Sequence, residues 1–223
     1  MLEDYFGNWL RVFDKAETLK IMNWLKTVNP ITLCPALSDI FKAFNLCTYS
    51  NCTVVFLGQD PYPQKGIATG ILFGNNKETP NSELSPSLQI IKDAAIDLEV
   101  PHNFINFDVS LESWAKQGVL MLNSALTCEV NKVGSHTMIW RPFISKFIRN
   151  FSSKTTGIIY VLFGRQAQTF KPYISKGNEI IEIEHPAYFA RMNQSMPSGL
   201  FTDINKLLKD KYGITIEWYQ EYI

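Results

Sequence analysis

Residues 53–62 read TVVFLGQDPY, and this stretch decides the fold. An apolar, β-branched run from Thr53 to Leu57 stops at Gly58. A strand that is apolar at every position is covered on both faces, which is the pattern of a parallel sheet. Gln59 and Asp60 follow at once, and prolines at 61 and 63 stiffen the loop beyond them. An acid held rigidly at the mouth of a buried strand can stabilise a cation forming opposite it or hold a water. It can equally cap a helix or close a turn, a common use of aspartate after a strand.

Working outward, VLMLN over 119–123 and IIYVLF over 158–163 read the same way, and EIIEIE over 179–184 alternates like a strand. Between them lie segments of helical spacing. Phe6, Trp9, Leu10, Phe13, Ile21, Met22 and Leu25 predict helix within 4–28, ended by Asn29-Pro30. Further helices are predicted over 36–45, 85–98, 108–117, 139–151, from Arg165 onward, and over 199–211. Strands alternating with helices predict an α/β fold, a three-layer α/β/α domain over residues 1–223 with a central four-stranded parallel sheet. Ligands of such sheets bind at the carboxyl ends of the strands. Gln59-Asp60, Asn123, Gly164 and His185 all follow strand ends, so four loops are expected to meet at one pocket.

Bulk composition narrows the class. Of 223 residues, 46% are hydrophobic and 19% charged, enough for one sizeable core. No apolar run reaches membrane-spanning length, and the start MLEDYFGNWL is acidic and aromatic, unlike a signal peptide; the expectation is a cytoplasmic protein with no membrane partner. The four cysteines form no C-x-x-C pair, which argues against zinc and iron–sulfur sites. Net charge is zero, yet no Asp or Glu occurs from Val130 to Asn178, where Lys132, Arg141, Lys146, Arg149, Lys154, Arg165, Lys171 and Lys176 lie. This run is either a basic face for phosphates or a solvated surface balanced by acids folded nearby.

Three further side chains have chemistry to offer. His185 ends the last strand and precedes a proline. Asn123 presents an amide that can read the edge of a base. Phe73, in GILFG over 70–74, can stack on a planar ligand or simply fill the core.

Taken together, GQDPY at 58–62, Phe73, WAKQGVLMLN at 114–123 and His185-Pro186 resemble the main family of uracil-DNA glycosylases. DIFKAF at 39–44, Pro86-Ser87-Leu88, Gly164 with Ala167-Gln168, and IEW at 216–218 fall in family order, so the resemblance spans nearly the whole chain. It implies that Asp60 positions the attacking water and stabilises the sugar cation, and that His185 donates a hydrogen bond to uracil O2. It implies that Gln59 lines the pocket, Tyr62 bars a 5-methyl group, Phe73 stacks on uracil and Asn123 pairs with its edge. Ser87 and Gly164 match loops that pinch the DNA backbone. The implied enzyme is monomeric, uses no metal or organic cofactor, and acts on uracil-containing DNA, single- or double-stranded, with room for a DNA-mimicking inhibitor protein as a further partner.

The chain departs from the family pattern at named positions. Pro63 stands where a histidine is usual, which removes a ring and an N–H beside the acid. Arg165 stands where a serine is usual, exchanging a neutral phosphate contact for a charged one. The usual His-Pro-Ser-Pro-Leu-Ser becomes HPAYFA over 185–190. Ala187 loses a phosphate contact, Tyr188 replaces a proline, and Phe189 takes the position of the leucine that wedges into the DNA stack. Two other readings follow: a catalytically weakened relative serving as a DNA-binding or replication or mobile-element module, and an α/β enzyme acting on free nucleosides.

Overall fold

A computed structural model describes residues 6–96, 104–197 and 199–222. In chain order its strands are β1 (Leu33–Cys34), β2 (Val54–Gly58), β3 (Phe104–Asn106), β4 (Val119–Asn123), β5 (Cys128–Glu129), β6 (Ile159–Phe163), β7 (Glu179–Ile183) and β8 (Gln220–Tyr222). Its α-helices are α1 (Lys15–Leu25), α2 (Lys42–Leu46), α3 (Pro86–Ala95), α4 (Glu112–Lys116), α5 (Thr137–Lys154), α6 (Gly164–Gln168), α7 (Pro186–Met192) and α8 (Leu200–Tyr212). The central sheet has the order β4-β2-β6-β7 and is parallel throughout. Every residue of β2, β4 and β6 is buried, as their unbroken apolar runs require, whereas the edge strand β7 is only half-buried. Two short antiparallel pairs, β1 with β5 and β3 with β8, lie outside this sheet.

Helices flank the sheet to make three layers, and aromatic side chains glue them to it. Phe56 of β2 stacks on Trp218 with ring centroids 6.2 Å apart, and Trp114 meets Trp218 edge-on at 4.9 Å. A second cluster joins Trp9 to Phe44, Phe147 and Phe151. The Trp9 indole N–H donates to the carbonyls of Phe44 and Cys47, so even this buried ring leaves no polar atom unpaired.

The helices differ from expectation where polar side chains intervene. The run expected over 4–28 breaks at Asp14, whose carboxylate accepts the Glu17 N–H and starts α1 afresh after a short 3-10 turn; positions 4 and 5 lie outside the described residues. The helix expected over 108–117 shortens to α4 because the Asp108 carboxylate binds the N–H groups of Ser110 and Ser113 and folds a turn there. The segment expected as helix over 36–45 divides into a 3-10 turn, Leu37–Asp39, and α2. The end of the helix expected over 85–98 lies outside the described residues. Conversely, HPAYFA, read as a loop, is the start of α7: His185 caps it, Pro186 fills its first position, and Asn193 closes it in the left-handed conformation.

Candidate active site

In chain order the sheet strands run second, first, third, fourth, so the direction of winding reverses beside β2. A crevice opens at the carboxyl ends of the strands at such a switch point. Here it is a cavity of 310 Å³, lined by Gln59, Asp60, Tyr62, Phe73, Ser87, Asn123 and His185 among others. Seven of the residues singled out in the sequence thus share one space. Gly164, Arg165 and Phe189 are not in its lining.

Backbone pairing fixes the two loops that carry Asp60 and Asn123. Gly58 and Asn123 are register partners. Beyond them the Gly58 carbonyl accepts the Ser124 N–H, and the Gln59 carbonyl accepts both the Ala125 N–H and the Ser124 hydroxyl. The Pro63 carbonyl accepts the Asn131 N–H, which ties the 130–135 loop over the acid and brings Val133 into the cavity wall. Both Asp60 oxygens are buried without a hydrogen-bond partner, and so is the Asn123 amide oxygen. Burial raises the Asp60 carboxyl above the ordinary carboxylate range, with the Gln59 side chain and Gly134 amide pulling weakly the other way. Those two groups act from beyond hydrogen-bond length, so burial prevails. Three unpartnered acceptor oxygens in one pocket are costly to fold and mark a place built for a polar guest.

In the same cavity, His185 accepts the Ala187 N–H at its Nδ1 over 3.2 Å. The proton of the neutral ring therefore sits on Nε2, free to donate. Burial, then the nearby Arg191 charge, pushes His185 down to about 4, so the imidazole is neutral at physiological pH. Gly164 has φ +82°, and a Cβ there would lie 2.9 Å from the His185 Cβ. Glycine at 164 therefore makes room for the histidine, a role distinct from the backbone pinch expected of it. Phe73 meets the His185 ring at 5.4 Å and Phe163 at 5.1 Å. It holds φ +65°, a left-handed conformation that is strained for an aromatic residue and held in place by its surroundings. One of these constraints is the Tyr62 hydroxyl, which donates to the Phe73 carbonyl over 3.0 Å.

One sequence expectation is corrected, and the basic run, left open between two readings, is balanced only in part. Phe189 is 8% exposed and packed in the hydrophobic core, so it is not presented to DNA; on α7 the outward ring is Tyr188, 38% exposed. Three of the eight basic residues of the run are paired with acids, and two lie over rings. Lys132 pairs with Glu129, Lys146 with Asp14 and Glu17, and Lys171 with Glu182. Arg141 and Arg149 lie over the rings of Phe170 and Tyr173. Arg165 is exposed with no ion pair among the described residues. Among the lining residues that went unnoticed in the sequence are Val133 and Arg191. The signal for Arg191 was legible: Pro186 at a first helical position puts Ala187 and Arg191 four apart on one helix face.

An unpartnered carboxyl group and a neutral imidazole donor line one pocket at the switch point of an α/β/α sheet. Such a site fits the class of enzymes that bind one small polar group and separate charge around it. Comparison with known proteins agrees: residues 44–209 match the model of the uracil DNA glycosylase superfamily. The uracil-DNA glycosylase of Campylobacter jejuni (strain RM1221) is 35% identical, with 97% of this chain and 94% of that protein covered. That of Aliivibrio salmonicida is 36% identical over 82% of this chain and 81% of its own. The chain belongs to the uracil-DNA glycosylase family, whose reaction is hydrolysis of an N-glycosidic bond. Solved structures show the same fold. Mimivirus uracil-DNA glycosylase superposes with a TM-score of 0.72 at 23% identity, covering 96% of this chain and 90% of its own. A Nitratifractor salsuginis structure gives 0.59 at 21%, covering 87% and 91%.

Proposed function

We propose that this protein excises uracil from DNA and that Asp60 and His185 divide the work between sugar and base. The observation that carries this reading is that the two side chains line one cavity, the acid unpartnered and the imidazole with Nε2 free. A deoxyuridine leaves the stack, at a cost of a few kcal/mol, and its ring enters between Phe73 and the amide of Asn123. The C1′–N1 bond breaks with its electron pair on the leaving ring, and the sugar becomes oxocarbenium-like. Asp60 stabilises that cation and aligns a water whose oxygen bonds to C1′. The water's proton passes to the carboxylate, whose basicity burial raises, and then to solvent or to the uracil anion. His185 donates from Nε2 to uracil O2, where negative charge gathers. Tyr62, buttressed on the Phe73 carbonyl, stands against a 5-methyl group and so refuses thymine.

On the DNA side, Ser87 at the start of α3 and the exposed Arg165 serve the phosphates, and the wedge role passes from Phe189 to Tyr188. Phe189 backs Tyr188 edge-on at 5.5 Å. The reading carries a monomeric, cytoplasmic enzyme; among the described residues no helix is long and apolar enough to cross a membrane. A mimivirus relative was solved in complex with UGI, and we read the DNA face here as open to a DNA-mimicking inhibitor of that kind. A scaffold without catalysis is not favoured, since a buried, unpartnered carboxylate has no use in gripping phosphate. The test is release of uracil from an oligonucleotide holding one deoxyuridine, with alkali-labile breakage at that position as readout. Absence of release by the wild-type chain overturns the reading.

A further inference from the structure

The cavity lining carries one carboxyl side chain, Asp60, and one guanidinium, Arg191. His185, in the same lining, is neutral. Arg191 reaches the cavity from α7, one turn beyond Ala187, whose N–H holds the His185 ring. It makes no ion pair or hydrogen bond with any described residue. Heterolysis of a glycosidic bond creates charge of both signs: positive on the sugar, negative on the base. Asp60 answers the first, whereas a neutral imidazole offers the second only a dipole.

We propose that the Arg191 guanidinium supplies the positive charge that stabilises the departing uracil anion, acting through the cavity it shares with His185. The inference rests on the glycosidic reading above. The competing use of an unpaired arginine at a pocket mouth is a phosphate contact, and the two differ in what they respond to. A charge acting on the leaving group matters most when that group is a poor one. A phosphate contact is indifferent to the base and sensitive to salt.

Arg191 is exposed, so Arg191→Gln is expected to fold, and Arg191→Lys keeps the charge. Single-turnover excision is measured for both variants and wild type, on one oligonucleotide carrying uracil and on another carrying the more acidic leaving base 5-fluorouracil. Arg191→Gln is expected to slow uracil release roughly five- to tenfold, with a clearly smaller effect on 5-fluorouracil and with DNA affinity nearly unchanged. Arg191→Lys restores most of the rate. Equal slowing of both bases overturns the proposal, as does a loss confined to affinity with a shallower salt dependence, or no change at all. If the wild-type chain releases neither base, the glycosidic reading itself has failed, which is a separate result.

Discussion

Gly164 and His185 are in contact so close that a single added methyl group at 164 would meet the His185 Cβ at 2.9 Å. The glycine also holds φ +82°, which an L side chain resists. Gly164→Ala therefore strains the backbone and pushes the imidazole off its line to the cavity. Stability is expected to fall by about 1–2 kcal/mol, a drop of about 2–4 °C per kcal/mol in Tm for a chain of this size. The rate of excision falls further than stability explains, by about tenfold or more, because hydrogen-bond donors act only when aligned. Thermal melting and single-turnover kinetics on the same preparation separate the two; loss of Tm with an unaltered rate refutes the assignment.

Asp60→Asn is expected to abolish most activity and to stabilise the fold. Removing one preorganised charge-stabilising group costs on the order of 2.7–4 kcal/mol of barrier, roughly 10²–10³ in rate. The carboxylate is buried and unpartnered, and its pKa is raised, so the folded chain binds that proton more tightly than the unfolded chain. Ionised Asp60 thus opposes folding once the pH is above the folded value, and the opposition vanishes as the pH falls toward the ordinary carboxylate range. Urea melts at pH 7 and at progressively lower pH test this. The variant gains about 1 kcal/mol at neutral pH, and the gain shrinks in acid. A destabilised variant at pH 7 contradicts it.

The sheet and the pocket floor were legible because they rest on strong local signals: unbroken apolar runs for β2, β4 and β6, and a polar residue after each. Asp60, Asn123 and His185 could be placed in one pocket from topology alone. What escaped was governed by side chains acting on neighbouring backbone. Asp14 and Asp108 restart or shorten helices through their carboxylates, and their capping patterns, Asp14 with Glu17 and Asp108 with Ser110, were present but outweighed by hydrophobic spacing. The segment after His185 was read as a loop by likeness to a family pattern, although Pro186 and Asn193 bracket a helix. That error put Phe189 at the surface. The helical period instead turns it inward and Tyr188 outward. Pairing of the basic run was not readable, since Asp14, Glu17 and Glu182 lie outside its acid-free stretch and reach it only in three dimensions.

Neutral His185 has a consequence for acid stability. Its ordinary value near 6.5 falls to about 4 in the folded chain. Between those values the unfolded chain carries a proton at this ring and the folded chain does not, so stability falls as the pH drops through that window. Above 6.5 the residue contributes no slope. The full effect is on the order of 3 kcal/mol at the acid end. His185→Gln is expected to flatten this part of the stability profile, measured by urea unfolding between pH 7 and 4. A slope identical to wild type shows that the ring titrates alike in both states.

The final expectation concerns which of the basic residues are free to meet DNA. Each phosphate neutralised by a cation contributes about −0.9 to the slope of log affinity against log salt. The acid-free stretch from 130 to 178 holds eight Lys and Arg residues, and counting them all would forecast a steep slope. Lys146, however, is held 3.2 Å from Glu17 and 3.4 Å from Asp14, Lys171 by Glu182 and Lys132 by Glu129. A lysine already neutralised by a fold partner gains little from a phosphate and releases few counterions. Arg165 stands exposed just past the end of β6 with no such partner among the described residues. Titration of a labelled uracil oligonucleotide at several salt concentrations should therefore give a slope reduced by about 1 for Arg165→Gln and unchanged for Lys146→Gln. Lys146→Gln instead loses a little stability, as befits a partly exposed ion pair. The reverse pattern, a slope that follows Lys146 and ignores Arg165, would place the DNA on a different face of the molecule from the one that opens the cavity.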